Sequence, residues 1–200
     1  MLLEDLELRA DVEFFIEDSI VPQDLVLDDQ TFFQESSDQI AESYNYLRVK
    51  KLVRIFGIGK NGVARSKADV QKMIDQNDRF FQDLEVIADD VFGGYFFIEK
   101  TGTTETRILY FAPDSLCLEV LELAPQEFID WLLTDAVYDF YSVFDWDNRE
   151  DWLKRTGFNE AISFYPFLWA KECDITAASK SVVPAEEVFS VNMTVKLSLD

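Results

Sequence analysis

The sequence predicts an α+β domain in which an antiparallel sheet of about five to six strands has helices packed on one side. Strand-like runs cluster in the centre of the chain, and apolar stripes of helical spacing follow from residue 125 onward. Strands that are segregated from helices are typical of this class. The 200 residues are 48% hydrophobic and 14% aromatic, enough for one sizeable core. We therefore expect a single domain over residues 1–200.

Residues 1–45 are expected to form an acidic N-terminal helix and arm. Apolar residues recur at three- and four-residue spacing at Leu3, Leu6, Ala10 and Phe14, with acids between them. That spacing is typical of an amphipathic helix. The periodicity is poor over residues 22–46, and the sequence leaves open whether they are ordered.

The strands are predicted from β-branched and aromatic runs bounded by Gly, Pro and Asp. The runs cover residues 46–49, 52–56, 84–88, 95–98, 107–111 and 116–121. Most of the connections are too short for a parallel crossover, which needs a dozen or more residues. An antiparallel meander follows.

The helices are predicted from their end signals and apolar stripes. One begins at Ser66 with Asp69 three residues later, and another follows Pro125. A third stripe covers residues 136–144. A short helix is expected between Asp147 as N-cap and Gly157 as a left-handed stop, and a last short helix is expected after Pro184.

The net charge is -21, from 39 acids against 18 bases. This charge disfavours nucleic acid and anionic membranes, because both need clustered Lys and Arg. A basic protein partner would instead be attracted. The acids lie in two blocks, residues 1–47 and 114–151, which flank a basic block over residues 48–72. We expect the basic block to relieve repulsion inside the fold.

The sequence indicates a cytoplasmic protein. The N-terminus lacks a positively charged leader, and the chain has no apolar run of about 18 residues. Cys117 and Cys173 form no C-x-x-C pair, which fits a reducing compartment. The oligomeric state remains open.

Histidine is absent, which removes the commonest general base and transition-metal ligand. We expect no catalytic residues, cofactor or metal. A carboxylate-dependent enzyme acting on a sugar or other small molecule remains an alternative, because two acids suffice for glycosidase chemistry.

Two glycine-containing segments suggest binding sites. The run from Gly57 to Gly62 matches G-x-G-x-x-G, so a nucleotide-binding module is a second alternative. However, Ser66 caps the next helix four residues too late, and a hairpin or connecting loop is favoured. A loop site for a hard cation could be formed by Asp89, Asp90, Gly93 and Gly94, although a turn between strands explains the same residues.

The partner-binding hypothesis rests on two tryptophans surrounded by charge. An exposed Trp ringed by acids would suit a basic protein partner. The candidate residues are Asp145, Trp146, Asp147, Glu150, Asp151 and Trp152.

Several segments resemble an uncharacterised bacterial family, domain of unknown function 2625, over roughly residues 45–190. They are Asp-Asp-Val-Phe-Gly-Gly-Tyr-Phe from Asp89, Tyr-Phe-Ala-Pro-Asp-Ser-Leu from Tyr110, Phe-Ile-Asp-Trp from Phe128 and Ile-Ser-Phe-Tyr-Pro-Phe-Leu-Trp from Ile162. The same pattern looks like the SUKH superfamily of cell-wall regulator-like domains. That likeness implies a SUKH-like α+β fold and, as in many members, an immunity protein that neutralises a basic toxin.

Overall fold

The computed structural model describes residues 12–15, 46–59, 64–99 and 107–199. The strands are β1 Val12–Phe15, β2 Tyr46–Val49, β3 Val53–Phe56, β4 Leu84–Asp90, β5 Tyr95–Glu99, β6 Leu109–Phe111, β7 Leu118–Val120, β8 Glu160–Tyr165 and β9 Ser179–Pro184. The helices are α1 Lys67–Asp75, α2 Asp78–Phe81, α3 Phe128–Leu133, α4 Ala136–Phe140, α5 Arg149–Arg155 and α6 Ala185–Leu199, with 3-10 turns at Pro125–Glu127 and Tyr141–Val143.

Strands β1 to β7 form an antiparallel sheet in which neighbours in sequence are neighbours in space. The predicted α+β class and the meander are confirmed. Tight connections set this order, such as the turn at Lys50 and Lys51 between β2 and β3, where both residues have positive φ. A second antiparallel sheet pairs β8 with β9, and we did not predict it.

Helices cover both faces of the large sheet, so the expectation of helices on one side is wrong. Strand β5 shows why, because Tyr95, Phe96 and Phe97 are consecutive and fully buried. Successive strand residues point to opposite faces, so both faces need an apolar cover. Phe96 packs in a cluster with α3, α4 and α5, whereas Tyr95 and Phe97 pack in a cluster with α1 and α6.

Helix α1 follows its sequence signals closely. Ser66 caps it by accepting a hydrogen bond from the Asp69 N–H at 3.0 Å. Val70 and Ile74 are buried against the sheet. The predicted helix after Pro184 is also present as α6, although it is 15 residues long instead of short.

Two local predictions are wrong. Phe14 lies in strand β1 and not in a helix, because the sequence Val-Glu-Phe-Phe pairs with β2. The rest of the predicted N-terminal helix falls outside the described residues. Helix α5 is preceded by Asn148 in the left-handed conformation and not by Asp147 as cap, and it ends at an extended Thr156 with no left-handed Gly157.

Candidate functional site

Asp89, near the end of β4, is the centre of a buried ion cluster. Its carboxylate accepts two hydrogen bonds from Arg54, from Nε at 2.7 Å and from Nη2 at 2.9 Å, and a third from Arg65. Arg54 and Asp89 are directly paired across β3 and β4. Both side chains are essentially without solvent contact. The paired guanidinium groups offset the cost of burying the carboxylate.

Arg54 also joins the sheet to a distant part of the chain. Its Nη1 donates to the carbonyl oxygens of Phe158 at 3.2 Å and of Glu160. Its Nη2 donates to the Asp90 carbonyl at 2.7 Å. One fully buried guanidinium therefore fixes the approach of β8 to the sheet.

Asp90 points to the opposite face from Asp89 and has a separate network. Its carboxylate accepts from the hydroxyls of Tyr110 at 2.6 Å and Tyr141 at 3.0 Å. It also accepts from the backbone N–H groups of Phe92 at 2.7 Å and Gly94 at 2.9 Å. A side chain at position 94 would overlap Tyr110 and Asp90. Gly94 therefore makes room for this network.

The hard-cation interpretation does not fit this geometry. Asp89 and Asp90 are each 0% exposed, and protein donors surround both carboxylates. Within the described ranges no group of three His, Cys, Asp or Glu residues is placed to hold a metal ion. Gly93 has a positive φ of 91° and lies against Val188 of α6, so it serves the turn and the packing of that helix.

Burial shifts the ionisation of this core. It raises the pKa of Asp90, although hydrogen bonds from Tyr110, Gly94 and Phe92 partly oppose the shift. Burial also raises the pKa of Tyr95 to about 12. For Arg65, burial favours a lower pKa, but the charges and hydrogen bonds of Asp89 and Tyr95 together outweigh it, and the net shift of the pKa is upward.

Asp90→Asn is expected to change how stability depends on pH. Because the folded pKa of Asp90 exceeds the ordinary 3.8, the folded state holds the proton more tightly than the unfolded chain. The stability that the protonated Asp90 side chain contributes is fully present below its pKa in the unfolded chain. It is lost as the pH rises through its pKa in the folded protein. The Asn variant lacks this loss.

The free energy of unfolding of Asp90→Asn minus that of the native protein should therefore increase as pH rises above the ordinary pKa of 3.8. Urea unfolding at a series of pH values measures this difference. The matched control is Glu172→Gln, which neutralises an exposed carboxylate, and the increase with pH should be larger for Asp90→Asn than for this control. A difference that decreases with pH would contradict the assignment.

The structural context of a dinucleotide site is not present at Gly57. Strand β3, which precedes it, pairs antiparallel with both β2 and β4, whereas the fingerprint belongs to a parallel βαβ unit. The first N–H of α1, that of Lys67, already donates to the Gly57 carbonyl at 2.9 Å. Gly59 has a positive φ of 76° and packs against Ser66. Residues 60–62 of the motif, including Gly62, lie outside the described residues.

Four bases of the basic block turn inward. Arg48, Lys50, Arg54 and Arg65 are all buried. Their partners include Asp89, backbone carbonyls such as Leu153 and Thr156, and Asp135 at 3.6 Å from Lys50. The bases thus serve the fold, as expected, but they contact the central strand and carbonyls more than the acidic flanks.

Residues 127–151 form what we call the acidic helical layer, which covers the Phe96 face of the sheet. Eight acids of this segment are exposed: Glu127, Asp130, Asp135, Asp139, Asp145, Asp147, Glu150 and Asp151. Its single base, Arg149, has a side chain that is only 12% exposed. The guanidinium lies 5.7 Å from the centre of the Phe92 ring. Three of the acids lie near a base, Asp135 at 3.6 Å from Lys50, Asp145 at 3.8 Å from Arg149 and Asp151 at 3.7 Å from Lys154, and the layer is predominantly negative.

Trp146 is not the exposed anchor that we expected. It is 8% exposed and packs edge-on against Phe92 and Phe164. Large side chains next to charged residues can still point inward, and here the ring completes the core. Trp152 is half-buried, and the Arg155 guanidinium covers its ring at 3.4 Å. The four acids Asp145, Asp147, Glu150 and Asp151 are exposed, as a binding surface requires.

Sequence reasoning missed the exposed apolar residues of the layer. Val143 is 66% exposed and Tyr138 is 41% exposed. Both lie within residues 136–144 but between the residues that define the predicted apolar stripe, and the pattern did not single out either as a surface contact. Val143 is the last residue of the 3-10 turn Tyr141–Val143, which follows α4.

A small surface pocket lies beside the Phe92 turn. Its volume of about 10 Å³ is room for roughly one water molecule. Its lining is mostly apolar, with Ser163 and Asn192 as the polar residues. The lining contains no carboxylate pair of the kind that the glycosidase alternative requires.

Fold and site together define an α+β domain with an antiparallel meander, a buried ion cluster and an acidic helical layer. The chain belongs to the family described as protein of unknown function DUF2625, whose family model matches residues 46–188. The predicted family is thereby confirmed. The match contains both buried carboxylates and the whole acidic helical layer.

Two curated relatives are themselves uncharacterised. YbfG of Escherichia coli strain K12 is 35% identical over 113 residues, which cover 55% of this chain and 51% of YbfG. An uncharacterised protein of Haemophilus influenzae strain Rd is 30% identical over 118 residues, covering 58% of this chain and 52% of that protein. The chain thus spans about half the length of the curated relatives it matches. No solved structure matches significantly.

Across the described part of the chain, each helix is too short or too polar to cross a bilayer.

Proposed function

We propose that this chain is a non-enzymatic protein-binding domain and that the acidic helical layer is its docking surface. The observation that carries the proposal is the exposure of all eight acids of residues 127–151 beside one largely buried base. Ordinary protein surfaces mix both signs of charge. A surface on which one sign of charge predominates attracts an oppositely charged partner and raises its association rate.

Exposed apolar side chains within the layer supply contact area. Val143 lies between Asp139 and Asp145 in sequence and is 66% exposed. A water-excluding apolar centre with a charged rim is the usual anatomy of a protein interface. We assign this central role to Val143 and Tyr138 in place of Trp146, with Trp152 at the margin.

The partner that fits best is a basic bacterial toxin, which makes the chain an immunity protein of the cytoplasm. The SUKH-like pattern of the sequence supports this, and so does the sign of the layer. Active sites that bind nucleic acid are positively charged, and an acidic surface can occupy them in place of the substrate.

The test uses a variant with four neutralised acids: Asp145→Asn, Asp147→Asn, Glu150→Gln and Asp151→Asn. The matched control removes the same charge from exposed acids elsewhere: Asp83→Asn, Glu99→Gln, Glu172→Gln and Glu186→Gln. Each protein is co-expressed with toxins encoded next to its gene, and the complex is analysed by surface plasmon resonance at two salt concentrations.

We expect the native chain to protect the cells and to form a stable complex. The layer variant should associate at least about tenfold more slowly at low salt, because long-range attraction acts mainly on the association rate. The control should remain within about twofold of the native rate. An equal loss of association rate in both variants would place the docking surface elsewhere. If the native chain did not protect the cells from the toxins, the immunity proposal would be wrong.

A further inference from the structure

Strand β7 ends the seven-stranded sheet of the described residues, with β6 as its one neighbour. All three of its residues are exposed. Its ladder continues beyond the strand, since Cys117 accepts from the Ala112 N–H at 3.0 Å and the Leu121 N–H donates to Ile108 at 2.8 Å. An open edge therefore runs from Cys117 to at least Leu121.

The direction of the edge hydrogen bonds follows from this ladder. In an antiparallel strand, every second residue directs its backbone N–H and C=O groups toward the same neighbouring strand, and the residues between direct theirs to the other side. Cys117 and Leu121 bond inward to β6, and Glu119 stands opposite Tyr110 in the same alternation. Leu118 and Val120 consequently direct their backbone N–H and C=O groups away from the sheet, where another strand could pair with them.

The side chains of the edge define what kind of strand fits. Leu118 is 36% exposed and Val120 is 56% exposed, and both lie on the face of Phe111 and Leu109, their cross-strand partners. Glu119 points to the other face and is exposed. Residues 114–124 contain three acids and no base.

Residues 117–123 contain neither Lys nor Pro, two of the residues that block strand addition at sheet edges. A second copy that paired antiparallel about Glu119 would set the two Glu119 side chains opposite each other, which charge repulsion opposes. We propose that β7 is a strand-addition site for an extended segment of a partner protein whose side chains alternate between basic and apolar. Its apolar residues cover Leu118 and Val120, and its bases face Glu119. This site is separate from the acidic helical layer.

The probe is a fluorescent peptide of about seven residues in which Lys and Val alternate, measured by fluorescence anisotropy against the full chain. Val120→Pro removes an outward N–H and leaves the inward ladder intact, because edge strands tolerate Pro at such positions. Val120→Thr keeps the N–H and the branched shape. We expect Val120→Pro to weaken binding about tenfold, the effect of one lost backbone hydrogen bond with its neighbours. Val120→Thr should stay within about twofold.

A second measurement does not depend on any variant folding. Methylating the peptide nitrogens on one edge should abolish binding, while methylating the other edge should not. Amide exchange at Leu118 and Val120 should slow at least about tenfold when the peptide binds. The proposal would be overturned if both methylated peptides bound as well as the unmodified one. It would also be overturned if the peptide slowed amide exchange only in other strands.

Three further outcomes are decisive. Self-association of the chain through β7 in sedimentation would overturn the proposal in favour of a second copy. An alternating Glu and Val peptide that binds as well as the Lys and Val peptide would remove the role of charge. In the layer variant with four neutralised acids, the peptide at saturating concentration should still slow amide exchange at Leu118 and Val120, so failure of the docking proposal and failure of this one are distinguishable.

Discussion

Arg54→Met should cost about 3–5 kcal/mol of the free energy of unfolding, the range for breaking one partner out of a buried ion pair. Asp89 would keep Arg65 but lose both bonds to Arg54. The carbonyls of Phe158 and Glu160 would lose their donor as well. Typical domains have a free energy of unfolding of only about 5–15 kcal/mol, so the variant should be close to unfolding. Urea denaturation followed by circular dichroism measures the loss.

The control for this prediction is Arg107→Met. Arg107 forms an ion pair with Glu122 at 2.6 Å, but the two side chains are 49% and 85% exposed. Exposed pairs contribute about 0–1 kcal/mol, so this variant should be nearly as stable as the native chain. Similar losses in the two variants would show that burial does not set the importance of the Arg54 pair.

Phe92→Ala should cost about 3–5 kcal/mol, as expected for a buried aromatic ring. Phe92 is 1% exposed. Its ring lies 5.6 Å from Tyr141, 5.1 Å from Phe144 and 6.1 Å from Trp146, measured between ring centroids. The ring thus connects the turn after β4 to the acidic helical layer. Urea denaturation gives the energy, and near-ultraviolet circular dichroism reports the loss of aromatic packing.

The comparison for Phe92 is Val143→Ala, which removes two methyl groups from an exposed side chain. Surface substitutions of this kind usually stay within about 0.5 kcal/mol. Val143→Ala should therefore leave stability unchanged while it weakens binding through the layer. A loss below about 1 kcal/mol in Phe92→Ala would mean that neighbouring rings refill the space.

Local chemistry made most of the sheet predictable. The runs that became β2 to β7 are short, rich in β-branched or aromatic residues and bounded by turn residues, and the Ser66 cap marked the start of α1. Strand pairing followed because most of the connecting segments are too short for crossovers. The family was recognisable from segments such as Phe-Gly-Gly-Tyr-Phe, which combine a tight turn with buried aromatic residues.

The ion cluster was harder to predict because its members are far apart in sequence. Arg54 and Arg65 look like solvated residues of a basic block, since charged side chains are seldom fully buried. Asp89 and Asp90 were noticed together, yet they serve two networks on opposite faces because strand residues alternate. Trp146 was misplaced for the converse reason, since its acidic neighbours in sequence are not its neighbours in space.

The reach of Arg54 has a consequence for the order in which the protein assembles. Its acceptors at Gly157, Phe158 and Glu160 lie 103 to 106 residues further along the chain. When only the meander has left the ribosome, these three acceptors have not yet been synthesised. The Arg54 guanidinium then stays solvated, and the strands around it cannot form all their native contacts. Closing such a long loop is slow compared with local contacts. The meander is therefore a poor candidate for independent folding, and the native core should form late in synthesis, once β8 has emerged.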